Sequence, residues 1–344
     1  MSGRQRSGPG VLDALFGSVD PRTGRPFGQG APERASPRTI TGREPGLRDL
    51  RLPDLVAVGK STIEQIGEDR VTYVSGGVTF FGLLSLFPAI TAFVSLYGLM
   101  ADPATIDGHL ALLSDLLPEG GLDIISTQVN AIAASPAGVL SVAGLVALLI
   151  ALWSANGGMK ALLSALNVAF YQRETRSFLK FNLISMGFTL GGLVLIAMML
   201  TVVAVIPALL RWVPMAPTNE TMLNLIRWPI MFAVLVLALA AVYRWGPSRP
   251  SSRWHWVSPG AVFAGVALVI TSILFSWYAA NFGSYNETYG SLGAVIALMT
   301  WLWLNATIVL VGAELNSELE RHLRRMAGLP DPKAEALEAE VARL

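Results

Sequence analysis

Six stretches of this chain, 74–98, 136–158, 181–210, 228–243, 257–282 and 290–313, contain no Asp, Glu, Lys or Arg. A helix that crosses the hydrocarbon core needs about 20 apolar residues at 1.5 Å rise per residue. Each stretch meets or nearly meets that length, so the expected fold is all-α: a polytopic membrane protein with six transmembrane helices. Composition agrees, because 53% of the 344 residues are hydrophobic and only 14% charged, against roughly 25% charged in a soluble globular chain.

Charge is segregated along the chain. Basic residues number eleven in 1–70, four in 159–180, three in 244–256 and five after Ala313, whereas the alternate connections hold only Arg211 and Arg227. The positive-inside rule makes the basic side cytoplasmic and places both termini there. The outer connections lean acidic instead, through Asp102, Asp107, Asp115, Glu119, Asp123, Glu220 and Glu287. A formal net charge of +1 argues against a nucleic-acid partner, which demands Lys and Arg gathered on one face. With no cysteine, the chain has no disulfide framework, thiolate nucleophile or Cys-ligated metal. The first apolar segment begins near Val71 after a long polar stretch, so the first span reads as a retained anchor and not a cleaved leader.

Residues 1–51 are rich in Pro, Gly, Arg and Ser without a helical apolar period, which predicts a disordered cytoplasmic arm. Residues 52–325 form the six-span membrane domain with a charged cytoplasmic extension, and 326–344 a flexible cytoplasmic tail. Between Asp54 and Arg70, Leu55, Ile63 and Ile66 recur among Lys60, Glu64, Glu68 and Asp69, the pattern of an amphipathic helix on the inner interface. The first outer connection, 99–135, carries two further apolar stripes, Ile106 to Leu117 and Leu122 to Ile132, expected as short helices over the outer mouth. After Ala313 the last span continues as a charged helix until Gly328, Pro330 and Pro332 stop it. No fixed-period internal repeat marks an inverted-repeat transporter.

No ionisable residue lies inside any of the six stretches, so the usual pointer to a proton relay is missing. Neutral groups and helix breakers remain. Pro88, in mid-span, removes a backbone hydrogen bond and frees the carbonyl of Leu84; Ser75, Thr79, Ser85 and Thr91 around it either line a polar path or bond back to their own helix. Asn156 beside Trp153, and Asn305 beside Trp301 and Trp303, pose the choice between a ligand contact and core packing. Glycines at 76, 77, 82, 187, 191, 260, 265, 290 and 293 permit close helix packing. The carboxylates nearest the bundle, Glu287 and Glu314, sit at opposite ends, on the order of 36 Å apart along a helix at 1.5 Å per residue, and cannot act as a catalytic pair. Each reads as a cap or a gate. His109, His255 and His322 fall in separate connections and make no metal site. The candidate path or gate residues are thus Ser85, Pro88, Thr91, Asn156, Glu287, Asn305 and Glu314, with no catalytic, cofactor-binding or metal-binding residue.

Several segments together resemble the YihY/BrkB family of bacterial inner-membrane proteins, formerly named ribonuclease BN. They are Leu83-Leu84-Ser85-Leu86-Phe87-Pro88; Leu152-Trp153-Ser154-Ala155 with Ala165-Leu166-Asn167; Tyr243-Arg244-Trp245-Gly246-Pro247; Val257-Ser258-Pro259-Gly260-Ala261; Asn281-Phe282-Gly283-Ser284-Tyr285 through Tyr289-Gly290-Ser291-Leu292-Gly293; and Gly312-Ala313-Glu314-Leu315-Asn316. The match runs from Asp54 to about Arg321; Ser75-Gly76-Gly77 departs from it, where relatives more often carry alanines. The resemblance implies six spans in a bacterial cytoplasmic (inner) membrane, both termini inside, and a family whose members are named as virulence or serum-resistance factors. It carries over no catalytic residue. A nuclease is disfavoured, since phosphodiester hydrolysis needs clustered carboxylates or histidines holding metal. The expectation is a non-enzyme without cofactor, in contact with membrane lipids and not nucleic acid, that translocates or exports a lipid-like or small amphipathic substrate. The alternative is a scaffolding membrane protein that recruits partners through its cytoplasmic tails; whether it forms a homo-oligomer stays open.

Overall fold

Asp54 opens the first helix: its carboxylate accepts the backbone N–H of Arg51 at 2.9 Å, one of the donors a helix N-terminus leaves unpaired. This helix, α1 (Leu52–Glu68), ends where Arg70 enters the left-handed region at φ 50°. The computed structural model describes residues 39–40, 45–98, 142–200, 202, 217–249, 258–281 and 291–341. After α1 come six long helices, α2 (Val71–Gly98), α3 (Val142–Ala169), α4 (Phe178–Leu200), α5 (Pro217–Trp245), α6 (Pro259–Asn281) and α7 (Ser291–Met326), then a short α8 (Pro332–Val341). Among the described residues there is no strand, and α2 to α7 are each long and apolar enough to cross a membrane.

The first span is α2, which runs unbroken through Pro88. It packs most extensively on α3, with further interfaces between α6 and α7, α2 and α7, α3 and α4, and α5 and α6. One buried core, including Leu163, Leu166, Tyr243, Ala264 and Leu310, ties α2, α3, α5, α6 and α7 together. Large apolar side chains such as Phe80, Leu84, Leu149, Val194 and Ile273 point outward instead. In water that surface would be untenable, and in a bilayer it is the face that meets acyl chains. The protein is a membrane protein, as its composition predicts.

Four helices, α3, α4, α5 and α7, run past the charge-free stretches into charged residues, and α3 and α7 do so furthest at their C-terminal ends. α3 does not stop before Lys160 but continues to Ala169. Lys160 is accommodated there because its ammonium donates to Asn182 Oδ1 at 3.2 Å and lies 5.0 Å from the centroid of the Trp153 ring. At 36 residues, α7 is about 54 Å long, well beyond a hydrocarbon core of about 30 Å. Its charged end projects out of the bundle and carries α1: Val58 packs on Leu319, Leu323 and Met326, joined by Ile40, Leu50 and Leu315. The backbone N–H of Ile40 donates to the Met326 carbonyl at 2.8 Å. The buried stripe of α1 is Val58, Thr62 and Gln65, while Leu52, Leu55, Val56 and Ile63 are exposed. α1 thus has a protein-facing side and an apolar side free to rest on an interface. The helices expected in 99–135, and most of the 1–51 arm, lie outside the described residues.

Small residues divide into two groups. Among the described residues, a Cβ on Gly76, Gly77, Gly187 or Gly191 would meet nothing within 4 Å, so a methyl group there obstructs no described helix contact. At Gly158, Gly260, Gly265 and Gly312 a Cβ would collide with the neighbouring helix. Gly260 and Gly312 place the α6 and α7 backbones against each other, and Asn316 seals the joint: its side-chain oxygen accepts the Gly260 N–H at 2.8 Å and its amide donates to Ser258 Oγ at 2.8 Å.

Candidate functional site

Two polar regions interrupt the apolar bundle. The first is a seam between α3 and α4. Asn182, Ser185 and Thr189, spaced three and four residues apart, share one face of α4, and all three are buried. Asn156 and Lys160, four apart on α3, oppose them. Lys160 reaches Asn182 at the charged end, and deeper in, Thr189 Oγ1 donates to Asn156 Oδ1 at 3.2 Å. Asn182 and Ser185 also donate to backbone carbonyls of their own helix. Asn156 is 0% exposed, and its side-chain Nδ2 has no hydrogen-bond partner. A buried amide left unsatisfied costs about 1–3 kcal/mol, and the hydroxyl it faces, Thr189 Oγ1, also donates to the Ser185 carbonyl at 2.9 Å.

The other residues expected on a path stand differently. Ser85 faces Gly158 of α3, where a side chain would strike its hydroxyl, and donates to the Gly82 carbonyl at 2.9 Å. Thr91 donates to the Phe87 carbonyl at 3.1 Å, and Ser75 and Thr79 bond back in the same way. Pro88 lies between them on α2, part-buried. Asn305 donates to the Trp301 carbonyl at 2.6 Å, and Trp303 donates to the Thr72 carbonyl at 2.9 Å, tying α7 to the start of α2. Glu287 lies outside the described residues. Asn156, of the neutral candidates, bonds through its side chain to another helix, α4.

The second region is at the charged end, built around Glu314. The Asp69-Arg70 break between α1 and α2 turns the Asp69 carboxyl inward to meet it, within hydrogen-bonding reach. Both line one crevice whose remaining walls include Val71, Ala165 and Leu310. Burial pushes the Asp69 carboxyl above its ordinary range, opposed by hydrogen bonding from Gln65. Around this pair the other charges are matched. Glu318 Oε1 accepts the Tyr171 hydroxyl at 2.6 Å and Arg321 Nη1 at 3.0 Å; Arg321 Nε reaches both oxygens of Asp331 at 2.7 and 2.9 Å. The guanidinium of Arg321 holds the Asp331 carboxyl below its usual range against the cost of burial. Tyr171 ends α3 with φ 54°, a left-handed cap that aims its ring at α7. Burial, reinforced by the neighbouring Glu318 carboxylate, raises the Tyr171 phenol far above its ordinary value and keeps it a donor. From α8, Lys333 covers the group, donating to Gln65 Oε1 at 3.0 Å and pairing with Glu68.

Sequence reasoning singled out Glu314 but set it against Glu287; its neighbour is Asp69, which reads in the sequence as part of the polar face of α1. The available signal was positional, since Asp69 directly precedes the first span and Glu314 directly follows the last charge-free stretch. Among the described residues, no three or more His, Asp or Glu side chains are grouped to hold a metal ion.

Comparison with known proteins gives a family. Residues 62–337 match the family described as virulence factor BrkB. The chain is 31% identical over 261 residues to a Bacillus subtilis protein named putative ribonuclease-like protein YfkH, covering 75% of this chain and 91% of that one. It is 26% identical to a UPF0761 membrane protein of Ralstonia nicotianae, covering 79% of this chain but only 61% of the relative's length. A UPF0761 membrane protein of Vibrio vulnificus is 25% identical, with 80% and 87% covered. No solved structure matches. With the match spanning α2 through α7 and both polar regions, the chain belongs to the BrkB family of membrane proteins.

Proposed function

We propose that the protein moves a lipid-like or small amphipathic substrate through the membrane, using the α3–α4 seam to accommodate its polar part. The observation that supports this most directly is Asn156, a fully buried neutral amide whose Nδ2 lacks a partner opposite Thr189. Protein interiors rarely leave such a donor unpaired, and a polar group deep in a membrane helix is costly unless used. The seam ends at Lys160, whose ammonium suits a polar or anionic headgroup, while the outward apolar faces of the helices suit an acyl chain. The charged end faces the cytoplasm under the positive-inside rule, and the membrane is the inner one. This role is one of binding and passage, not bond cleavage.

Because the natural chain has no cysteine, single-cysteine labelling tests the seam directly. Cysteine at Asn156 or Thr189 is expected to react with a charged, membrane-impermeant thiol reagent, and cysteine at the buried core position Ala92 to stay inert. Inert seam positions in a folded protein would sink the transport reading and favour a scaffold acting through its tails. In liposomes, Asn156→Leu, which fills the site with an apolar side chain, is expected to reduce fluorescent-lipid movement at least tenfold while leaving the melting temperature within a few degrees of wild type. Equal movement by Asn156→Leu and wild type would count against the seam as the path.

A further inference from the structure

Glu314 is 1% exposed and neither of its carboxyl oxygens has a hydrogen-bond partner. The Asp69 Oδ2 is also buried without one. The two carboxyl groups face each other across a crevice with largely apolar walls. Both are acceptors when ionised, so the contact as it stands sets acceptor against acceptor, with three buried carboxyl oxygens left without a donor. Like charges this close cannot both persist in a site shielded from water.

We propose that Asp69 and Glu314 form a proton-binding site at the charged end of the bundle, holding one proton between them at neutral pH. A proton on either group turns the acceptor–acceptor contact into an O–H···O bond and removes one buried negative charge. The surroundings support a proton over other ligands. Glu318, one turn along α7 on the same face, is already engaged by Tyr171 and Arg321, and Arg321 by Asp331. On α1, Gln65 bonds to Asp69, and Glu68 adds a further negative charge nearby. Lys333 of α8 is a cation that acts on both carboxyls, and it is bound to Gln65 and Glu68. Arg70, next in the chain, is exposed. Zinc and calcium take three or more protein donors in most sites, and no such group occurs among the described residues. The site's occupancy is independent of what the bundle moves.

Infrared spectroscopy of the full-length protein in detergent or lipid reads the site directly. Wild type is expected to show a protonated-carboxyl C=O band at pH 7 that disappears on titration to higher pH. Glu314→Gln and Asp69→Asn each remove one of the like charges, and each is expected to lower the midpoint of that titration by about one pH unit or more; the double variant is expected to lose the band. The native pair binds more protons than the unfolded chain above the ordinary carboxylate range, so stability falls as pH rises. Accordingly the melting temperature of wild type should decline between pH 5 and pH 8, with a shallower slope in Glu314→Gln. If that variant fails to fold, Asp69→Asn alone carries the test. Absence of the band in wild type at pH 7 overturns the assignment, as does a midpoint unmoved by either substitution. A melting temperature that responds to sodium at fixed pH, in a protein without the band, would show a sodium site instead and equally overturn it.

Discussion

Gly312→Ala is expected to be among the most damaging single-methyl changes in the described bundle. The new Cβ would lie 2.6 Å from the Tyr243 hydroxyl, 2.8 Å from the Ala264 Cβ and 2.8 Å from the Gly260 carbonyl oxygen. None of these can yield cheaply. Tyr243 is fully buried and its hydroxyl donates to the Val309 carbonyl at 2.7 Å, Ala264 is in the core, and the Gly260 carbonyl is backbone. Relief requires α6 and α7 to separate, which loosens the Asn316 bonds to Gly260 and Ser258 as well. Overpacking a tight core costs about 1–3 kcal/mol and more where backbone must move; with three obstructed directions, a loss of about 3 kcal/mol or more is expected. Read as a fall on the order of 10 °C in melting temperature, or as loss of monodisperse protein on size exclusion, the effect is easily measured. Gly260→Ala should behave alike, since its Cβ would overlap the Gly312 carbonyl oxygen. Gly187→Ala and Gly191→Ala are the contrast: both positions are open, and replacing a mid-helix glycine there should be neutral or stabilise by about 0.5–1 kcal/mol. A Gly312→Ala protein as stable as wild type would show that α6 and α7 do not meet as described.

That contrast shows where the sequence stops being informative. Absence of charge over helix-length stretches is a bulk property, so the six spans, the amphipathic α1 and the stop after α7 are legible without knowing any contact. Which glycines matter is not, because it depends on the rotational phase of each helix against its neighbours; Gly187 and Gly260 look equivalent on paper and are opposite in space. The same holds for hydroxyl groups. Ser75, Thr79 and Thr91 satisfy themselves on their own helix, whereas Thr189, of the same type, also reaches across to Asn156. Charge as a boundary marker also fails, most clearly in α3. Lys160 stays within a helix that runs on to Ala169, because an amide on α4 and the Trp153 ring provide for it. Asp69 and Glu314, at the two ends of the membrane domain's sequence, become neighbours only because α1 folds onto the protruding end of α7.

Asn167→Ala is expected to unlock the charged end. Asn167 is buried near the end of α3 and acts in two directions: its side-chain oxygen accepts the Ser248 N–H at 2.7 Å, and its amide donates to Glu174 Oε2 at 3.0 Å. Glu174 in turn grips Arg176 through both carboxylate oxygens at 2.7 Å, and Arg176 Nη2 donates to the Gly246 carbonyl at 2.9 Å. Thr175 adds hydrogen bonds to Ser248. The connection between α3 and α4 is thereby fastened to the segment after α5, and with it the mutual setting of Lys160 and Asn182 at the mouth of the seam. Truncating Asn167 leaves the buried Ser248 N–H without its acceptor and removes a donor from the part-buried Glu174, a loss of about 2–3 kcal/mol. Asn167→Asp separates the two roles, since a carboxylate still accepts from Ser248 but confronts Glu174 with a like charge. Arg176 holds the Glu174 carboxyl down at about 2, against some desolvation, so its contribution is fully present above the ordinary carboxylate range and is lost only as pH falls through about 2. Between pH 5 and pH 8 the wild-type joint should therefore be insensitive to pH. In Asn167→Asp the new carboxylate faces that fixed negative charge, so the variant's melting temperature should recover toward wild type as acidification protonates it, whereas Asn167→Ala shows no such recovery relative to wild type. Identical pH profiles for the two variants would mean that Asn167 does not bridge Ser248 and Glu174.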